Sequence, residues 1–157
     1  MIRLIDQALL DELCAEAAAS PRRRKNRNFH PHDHHPAHRL LNAMQPDSYI
    51  PPHRHLDPNK DETFVVLRGL LGLLVFDDAG VVTHKVTVGA DGRALCVDIP
   101  HGTWHAVVAL APDTVFLEAK AGPYLPLTEA ERAPWAPAEN TPEAAPYLAA
   151  LKAHVLG

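Results

Sequence analysis

Two short segments carry residue types able to hold a metal ion. The first is His53-Arg54-His55, followed seven residues later by Glu62. Positions two apart on a strand share a face. Both imidazoles therefore project to one side, about 7 Å apart along the chain. Glu62 heads an apolar run and can deliver a carboxylate from the next strand of a hairpin. The second segment is Pro100-His101-Gly102-Thr103-Trp104-His105. Its Pro and Gly make a tight turn, and His105 enters the following strand. Three imidazoles and one carboxylate suit a divalent transition metal such as Fe, Mn, Ni, Co or Zn, and cellular supply decides among them. Four protein ligands leave positions open on a metal that prefers five or six, and those positions take water or substrate. Singly, each piece is weak: a His-x-His on a strand is usually surface decoration, and a Pro-x-Gly is usually just a turn. Together, in order and among strands, they are specific.

The surrounding texture is that of short strands. Apolar runs recur at Leu40 to Met44, Thr63 to Phe76, Val81 to Val88, Ala94 to Ile99, Trp104 to Leu110 and Thr114 to Lys120. Gly69 and Gly72 interrupt the long run. Asp77-Asp78-Ala79-Gly80 is a hairpin turn signal, and Gly89 to Gly92 is a second turn. Strands at this spacing predict an all-β sandwich or barrel. Residues 6 to 19 read as a helix capped by Asp6, with Leu9, Leu10, Leu13 and Ala17 on one stripe and Pro21 ending it. The polar stretch from Arg22 to His38 reads as loop or edge strand. After Gly122 a Pro-rich arm leads to a short helix, with Thr141 as its cap, running to about His154.

The two histidine segments resemble the paired cupin motifs. His53, His55, Glu62 and Gly69 match the first motif, and Asp47 stands where its opening Gly is expected. Pro100, Gly102 and His105 match the second; Ala94 and Ala109 replace its Gly and Asn. The departures fall on turn and packing positions, not on ligands. A longer pattern is similar to the WbuC-type cupin family. It comprises Ser20-Pro21-Arg22-x-Arg24, Asn28, His30, Arg39-Leu40-x-Asn42-Ala43-Met44, Pro52-His53-Arg54-His55, Ala121-Gly122-Pro123-Tyr124 and Trp135-Ala136-Pro137. The resemblance implies a double-stranded β-helix (jelly-roll) barrel holding one divalent metal on His53, His55, Glu62 and His105. Members of that family occur among genes for O-antigen synthesis, which implies a surface-polysaccharide pathway. Some cupins use such a His without metal, as a base in sugar epimerisation; the intact ligand set favours metal.

The expected organisation is one structural domain in three parts: an N-terminal helix and basic, His-rich arm (1–38), the barrel (39–122) and the C-terminal arm and helix (123–157). The 157 residues, 46% of them apolar, fit one domain with one core. Net charge is −4, which argues against a nucleic-acid partner. No apolar run approaches the roughly 20 residues of a membrane span. Cys14 and Cys96 stand in no paired motif and suit a reducing, cytoplasmic setting.

A second tier of residues could recognise a ligand. Six of the fifteen Lys and Arg residues lie between Arg22 and Arg39. Arg22, Arg24 and Arg39 offer guanidinium forks for phosphate or carboxylate, and Asn28 and Asn42 offer donors and acceptors for sugar hydroxyls. Their competing role is to tie the N-terminal arm to the barrel. His30, His32, His34, His35 and His38 form a dense cluster with no spacing that fixes a site, so a loop is the stronger reading. His101, His84 and Tyr124 are acid–base candidates. Thr63, Val65 and Leu67 face outward if Glu62, Phe64 and Val66 face inward, so cover by an arm or a homodimer is expected. Two functions follow. One is a metal-dependent isomerase, epimerase or oxygenase acting on a small anionic sugar or sugar nucleotide. The alternative is a non-catalytic, metal-dependent binding module.

Overall fold

Asp6 opens the first helix, α1 (Gln7–Ala19), by accepting a hydrogen bond from the Leu9 amide at 3.0 Å. The computed structural model describes all 157 residues. Leu10, Leu13, Cys14 and Ala17 form the buried stripe of α1, so Cys14 joins three of the four expected positions and Leu9 is half-buried beside them. The polar stretch that follows contains an edge strand, β1 (Arg24–Asn28), and then turns up to β2 (Ala37–Met44). The long apolar run divides at Gly69 into β3 (Glu62–Arg68) and β4 (Leu71–Phe76). Gly69 has φ +78°, and a Cβ there would lie 2.5 Å from Thr114 Oγ1, so only glycine fits the turn. The chain continues through β5 (Val82–Val88), β6 (Cys96–Ile99), β7 (Trp104–Ala109) and β8 (Thr114–Ala121).

The strands form two antiparallel sheets, in orders β1-β2-β8-β3-β6 and β5-β4-β7. The turn at Gly69 therefore passes the chain from one sheet to the other. This is a jelly-roll barrel of the cupin type. His53 and its neighbours lie in no named strand, but the His53–His105 bridge adds this segment to the free edge of β7, and a His53–Arg132 bridge adds the C-terminal arm beyond it.

Inside the barrel, Met44, Phe64, Leu71, Leu73, Val88, Ile99, Val107, Ala109 and Phe116 form one apolar core. The outer face of β2 and β8 presents Leu41, Ala43 and Val115 to α1. That cover stops short of β3 and β6, where Leu67 and Leu95 are exposed. On the other sheet, α2 (Ala144–Leu156) buries Ala144, Leu148, Leu151 and Val155 against Leu74, Phe76, Trp104, Ala106 and Val108. A Cβ on Gly72 would lie 2.9 Å from Val108 and 3.1 Å from Val155, so its absence lets the helix sit close. The start of α2 corrects the expected cap. Glu143 holds the cap position, and the Thr141 hydroxyl donates to the Ala138 carbonyl. Pro142 thus precedes the helix. No helix is long and apolar enough to cross a membrane.

Candidate metal centre

Each of the four motif residues is brought to one end of the barrel by a different constraint. Glu62 is the first residue of β3 and shares its inward face with Phe64. His105 is the second residue of β7 and pairs with Val75 of β4. His53 pairs with His105 through two backbone hydrogen bonds of 3.0 Å. The next residue is locked from the other side, where the Arg54 amide donates to the Glu131 carbonyl at 3.0 Å. The Glu131 carboxylate accepts from the Leu56 amide at 2.9 Å. The Arg54 guanidinium lies over the Trp104 ring at 4.1 Å. An irregular segment is thus clamped between β7 and the arm, which explains how His-x-His keeps one orientation outside a regular strand.

The side chains converge. Ring centroids are 5.3 Å apart for His53 and His55, 4.7 Å for His53 and His105, and 6.3 Å for His55 and His105. His53, His55 and Glu62 offer ligand atoms that all lie within 4.8 Å of one another. Glu62 Oε1 is 3.1 Å from His55 Nε2, and Glu62 Oε2 is 3.0 Å from His105 Nε2. Glu62 and His105 are each 2% exposed, so water does not screen these contacts.

Whether this set fits a metal is decided by where the ring protons lie. His53 Nδ1 is 3.0 Å from the Pro51 carbonyl and His105 Nδ1 is 2.9 Å from the Thr103 carbonyl. A carbonyl only accepts, so both Nδ1 atoms carry hydrogen. With Nδ1 so engaged, each ring turns its Nε2 towards the cluster, the orientation seen around metal-ligating histidines. His105 Nε2 faces Glu62 Oε2, which has no hydrogen-bond partner of its own. A positive charge at this contact, whether a proton on Nε2 or a metal ion, satisfies both atoms at 3.0 Å. Burial, with help from His105, lowers the His53 pKa to about 3, so this imidazole stays neutral. Burial pushes the Glu62 carboxyl up, but contacts with His105 and His55 and the Lys120 charge outweigh it. They hold Glu62 well below the usual carboxylate range. A neutral His53 and an ionised Glu62 are the protonation states a divalent metal requires of these two residues.

Two residues beside the cluster carried no signal in the motifs. Lys120 Nζ donates to Glu62 Oε1 at 3.0 Å and lies 3.5 Å from both Glu118 Oε2 and His55 Nε2. Phe116, Glu118 and Lys120 alternate on β8, and Phe116 belongs to the barrel core. Charges recurring at every second position of a strand with a buried aromatic are the available sequence clue. Burial raises the Glu118 pKa against the opposing effect of Lys120. Burial works against the Lys120 ammonium, but Glu118 and Glu62 outweigh it and raise its pKa.

The ligand-recognition candidates are dispersed. Arg22 and Arg24 each grip Glu139 of the C-terminal arm with two hydrogen bonds of 2.9–3.0 Å. They tie the two arms together and do not touch the cluster. Arg39 is exposed, on the same side of β2 as Leu41 and Ala43 and opposite Ala119. The barrel-facing register positions hold Asn42, opposite Phe116, and Asn28, opposite Leu40. Asn42 Nδ2 is buried without a partner. The histidine-rich segment does not converge. His30 stacks on His38 at 3.8 Å, and their ring nitrogens bond backbone groups of Arg39 and Asp33. His101 is tied to Asp61 by two 2.8 Å hydrogen bonds. Exposed His84 lies on β5, and Tyr124 is 60% exposed.

A cupin-type barrel with a His-His-Glu cluster at one end defines the class: a cupin-fold protein with a cluster able to hold a metal ion. The chain belongs to the family described as domain of unknown function DUF6016, whose profile matches residues 5–88, more than half of it. That span contains β1 to β5, His53, His55 and Glu62, but not His105. A comparison with curated proteins finds no match. Among solved structures, the chain is similar to the conserved SPY1581 protein of unknown function from Streptococcus pyogenes. The TM-score is 0.52 at 12% identity, covering 80% of this chain and 91% of that one. It is also similar to KdgF from Halomonas sp., with TM-score 0.48 and 20% identity over 68% of this chain and 84% of that one. An RmlC-like cupin protein from Desulfovibrio desulfuricans gives TM-score 0.45 and 18% identity over 62% and 81%.

Proposed function

We infer that this protein is a cupin metalloprotein that holds one divalent transition metal on His53, His55, Glu62 and His105. Its open coordination positions serve a small anionic, sugar-like ligand. The observation that carries this reading is the buried contact of His105 Nε2 with Glu62 Oε2 at 3.0 Å, at an oxygen with no hydrogen-bond partner. Bound there, a divalent metal supplies a Lewis acid that polarises a carbonyl or a pair of hydroxyls. The chain's own residues orient that centre: the Pro51 and Thr103 carbonyls fix two rings, and Lys120 holds the Glu62 carboxylate. Isomerisation and epimerisation of a sugar, or dioxygen insertion with iron, are the reactions such a centre suits. The WbuC-type resemblance adds a surface-polysaccharide context to this proposal. A second reading, a non-catalytic binding module, is favoured by the position of the acid–base candidates. His101 is committed to Asp61, and neither His84 nor Tyr124 bonds any of the four residues.

The test is elemental analysis of purified protein together with the His53→Ala, His55→Ala, Glu62→Gln and His105→Ala variants. Near-stoichiometric metal in the natural protein, lost in each variant, supports the site; a natural protein that binds no divalent metal after reconstitution refutes it. We also propose a homodimer, supported by exposed Leu67 and Leu95 beyond the cover of α1. Sedimentation as a monomer at micromolar concentration removes that part.

A further inference from the structure

The one charged donor that touches the cluster has more hydrogen-bonding capacity than the metal-loaded site uses. Lys120 is the only Lys or Arg ion-paired with Glu62. Its ammonium has three donors and three acceptors in reach: Glu62 Oε1 at 3.0 Å, Glu118 Oε2 at 3.5 Å and His55 Nε2 at 3.5 Å. If His55 gives its Nε2 lone pair to a metal, Lys120 loses that acceptor and keeps the two carboxylates. One N–H is then left without a partner beside the open positions. The Lys120 side chain is 18% exposed, so it is not sealed from solvent. The other nearby cations are engaged: Lys60 Nζ donates to the Ala121 and Pro123 carbonyls, and Arg54 to the Ala130 carbonyl. Charge points the same way. A divalent ion, Glu62 and Lys120 sum to two positive charges, and Glu118 offsets at most one of them.

We propose that Lys120 is the specificity-determining contact of this site and selects ligands bearing a carboxylate next to a second oxygen, as in 2-hydroxy and 2-oxo acids, including sugar acids. One carboxylate oxygen accepts from Lys120 while the ligand occupies the metal's open positions. Glu118, beyond Lys120, sets the position of the ammonium. The proposal rests on the four residues being a metal site, and its test separates the two.

Full-length protein reconstituted with Ni(II) is titrated calorimetrically with oxalate, the smallest dianion with adjacent oxygens, and with imidazole, a neutral metal ligand. The same titrations are run on Lys120→Met and Lys120→Arg, with metal content measured in each. The expected result is roughly 10- to 100-fold weaker oxalate binding by Lys120→Met, the range for a lost hydrogen bond to a charged group. Lys120→Arg recovers part of it, and imidazole affinity changes by less than about twofold. Oxalate affinity within about twofold of the natural protein in metal-replete Lys120→Met overturns the proposal. So does an equal loss for both probes, a natural protein that takes metal but no oxalate, or a Lys120→Met that no longer holds metal. The last result would make Lys120 a prop of the metal site. A natural protein that binds no Ni(II) sinks the metal reading itself.

Discussion

Glu62→Gln separates the metal from the fold. The natural carboxylate places Oε1 3.0 Å from Lys120 Nζ and Oε2 3.0 Å from His105 Nε2. Glutamine keeps an acceptor at the first position and puts an N–H donor at the second, facing His105 Nε2. A hydrogen bond to a charged group contributes about 1.5–3 kcal/mol and a neutral one about 1 kcal/mol. Weakening the Lys120 bond therefore loses about 1 kcal/mol, and the new bond to His105 returns a similar amount. The metal-free variant should melt within about 4 °C of the metal-free natural protein. Metal binding behaves differently. At free metal a thousandfold above Kd the natural protein gains about 4 kcal/mol, a rise in Tm of about 8–16 °C for a chain of this size. Loss of the only anionic ligand should weaken binding at least about as much as the roughly 100-fold upper range for second-shell changes. At the same free metal the gain then falls to about 1.4 kcal/mol or less, or about 3–6 °C. Differential scanning fluorimetry with and without EDTA, over a metal titration, measures both numbers. A metal-dependent rise in the variant equal to that of the natural protein would refute the ligand role. A fall of more than about 10 °C in the metal-free form would show that Glu62 is structural.

Gly69→Ala places a Cβ 2.5 Å from Thr114 Oγ1 and 2.8 Å from its Cα at φ +78°. It should destabilise by about 3 kcal/mol, read as a lower urea midpoint with unchanged slope. Leu151→Ala, from a site 4% exposed between α2 and the smaller sheet, should cost about 2–4 kcal/mol while metal content stays unchanged; loss of metal would mean that α2 supports the centre. Hydrogen bonds from Arg22, then from Arg24, hold the Glu139 carboxyl at about 2 in the folded chain. The unfolded value is near 4.5, so this contribution is whole above pH 4.5 and is lost as pH falls towards 2. Glu139→Gln should flatten that acid limb of stability by no more than about 1 kcal/mol, given its exposure; an unchanged limb in urea melts from pH 2 to 6 counts against the pair.

The sequence by itself determined the class of fold and the residue types of the candidate site. Period-two apolar runs broken by Gly and Asp turns specify strands, because the pleat alternates faces whatever the partner strand is. Asp6 and the leucine stripe specify α1 through local capping and helical spacing. The His-x-His, the Glu at the head of an apolar run and the Pro-x-Gly-x-x-His were legible because motif spacing is local. What lay beyond local reach was decided by pairing. Lys120 comes to Glu62 only because β8 sits between β2 and β3 in the sheet, bringing residues 58 positions apart to 3.0 Å. Arg22 and Arg24 look like anion receptors in the sequence, but the fold supplies their anion from Glu139, at the far end of the chain. Arg39 carries the same chemistry, yet its odd register with Leu41 and Ala43 turns it to the outer face. The His-x-His segment owes its orientation to β7 on one side and the C-terminal arm on the other. Side-chain type and strand parity can be read along the chain; which strands become neighbours is settled by burying one shared core, a property no single segment contains.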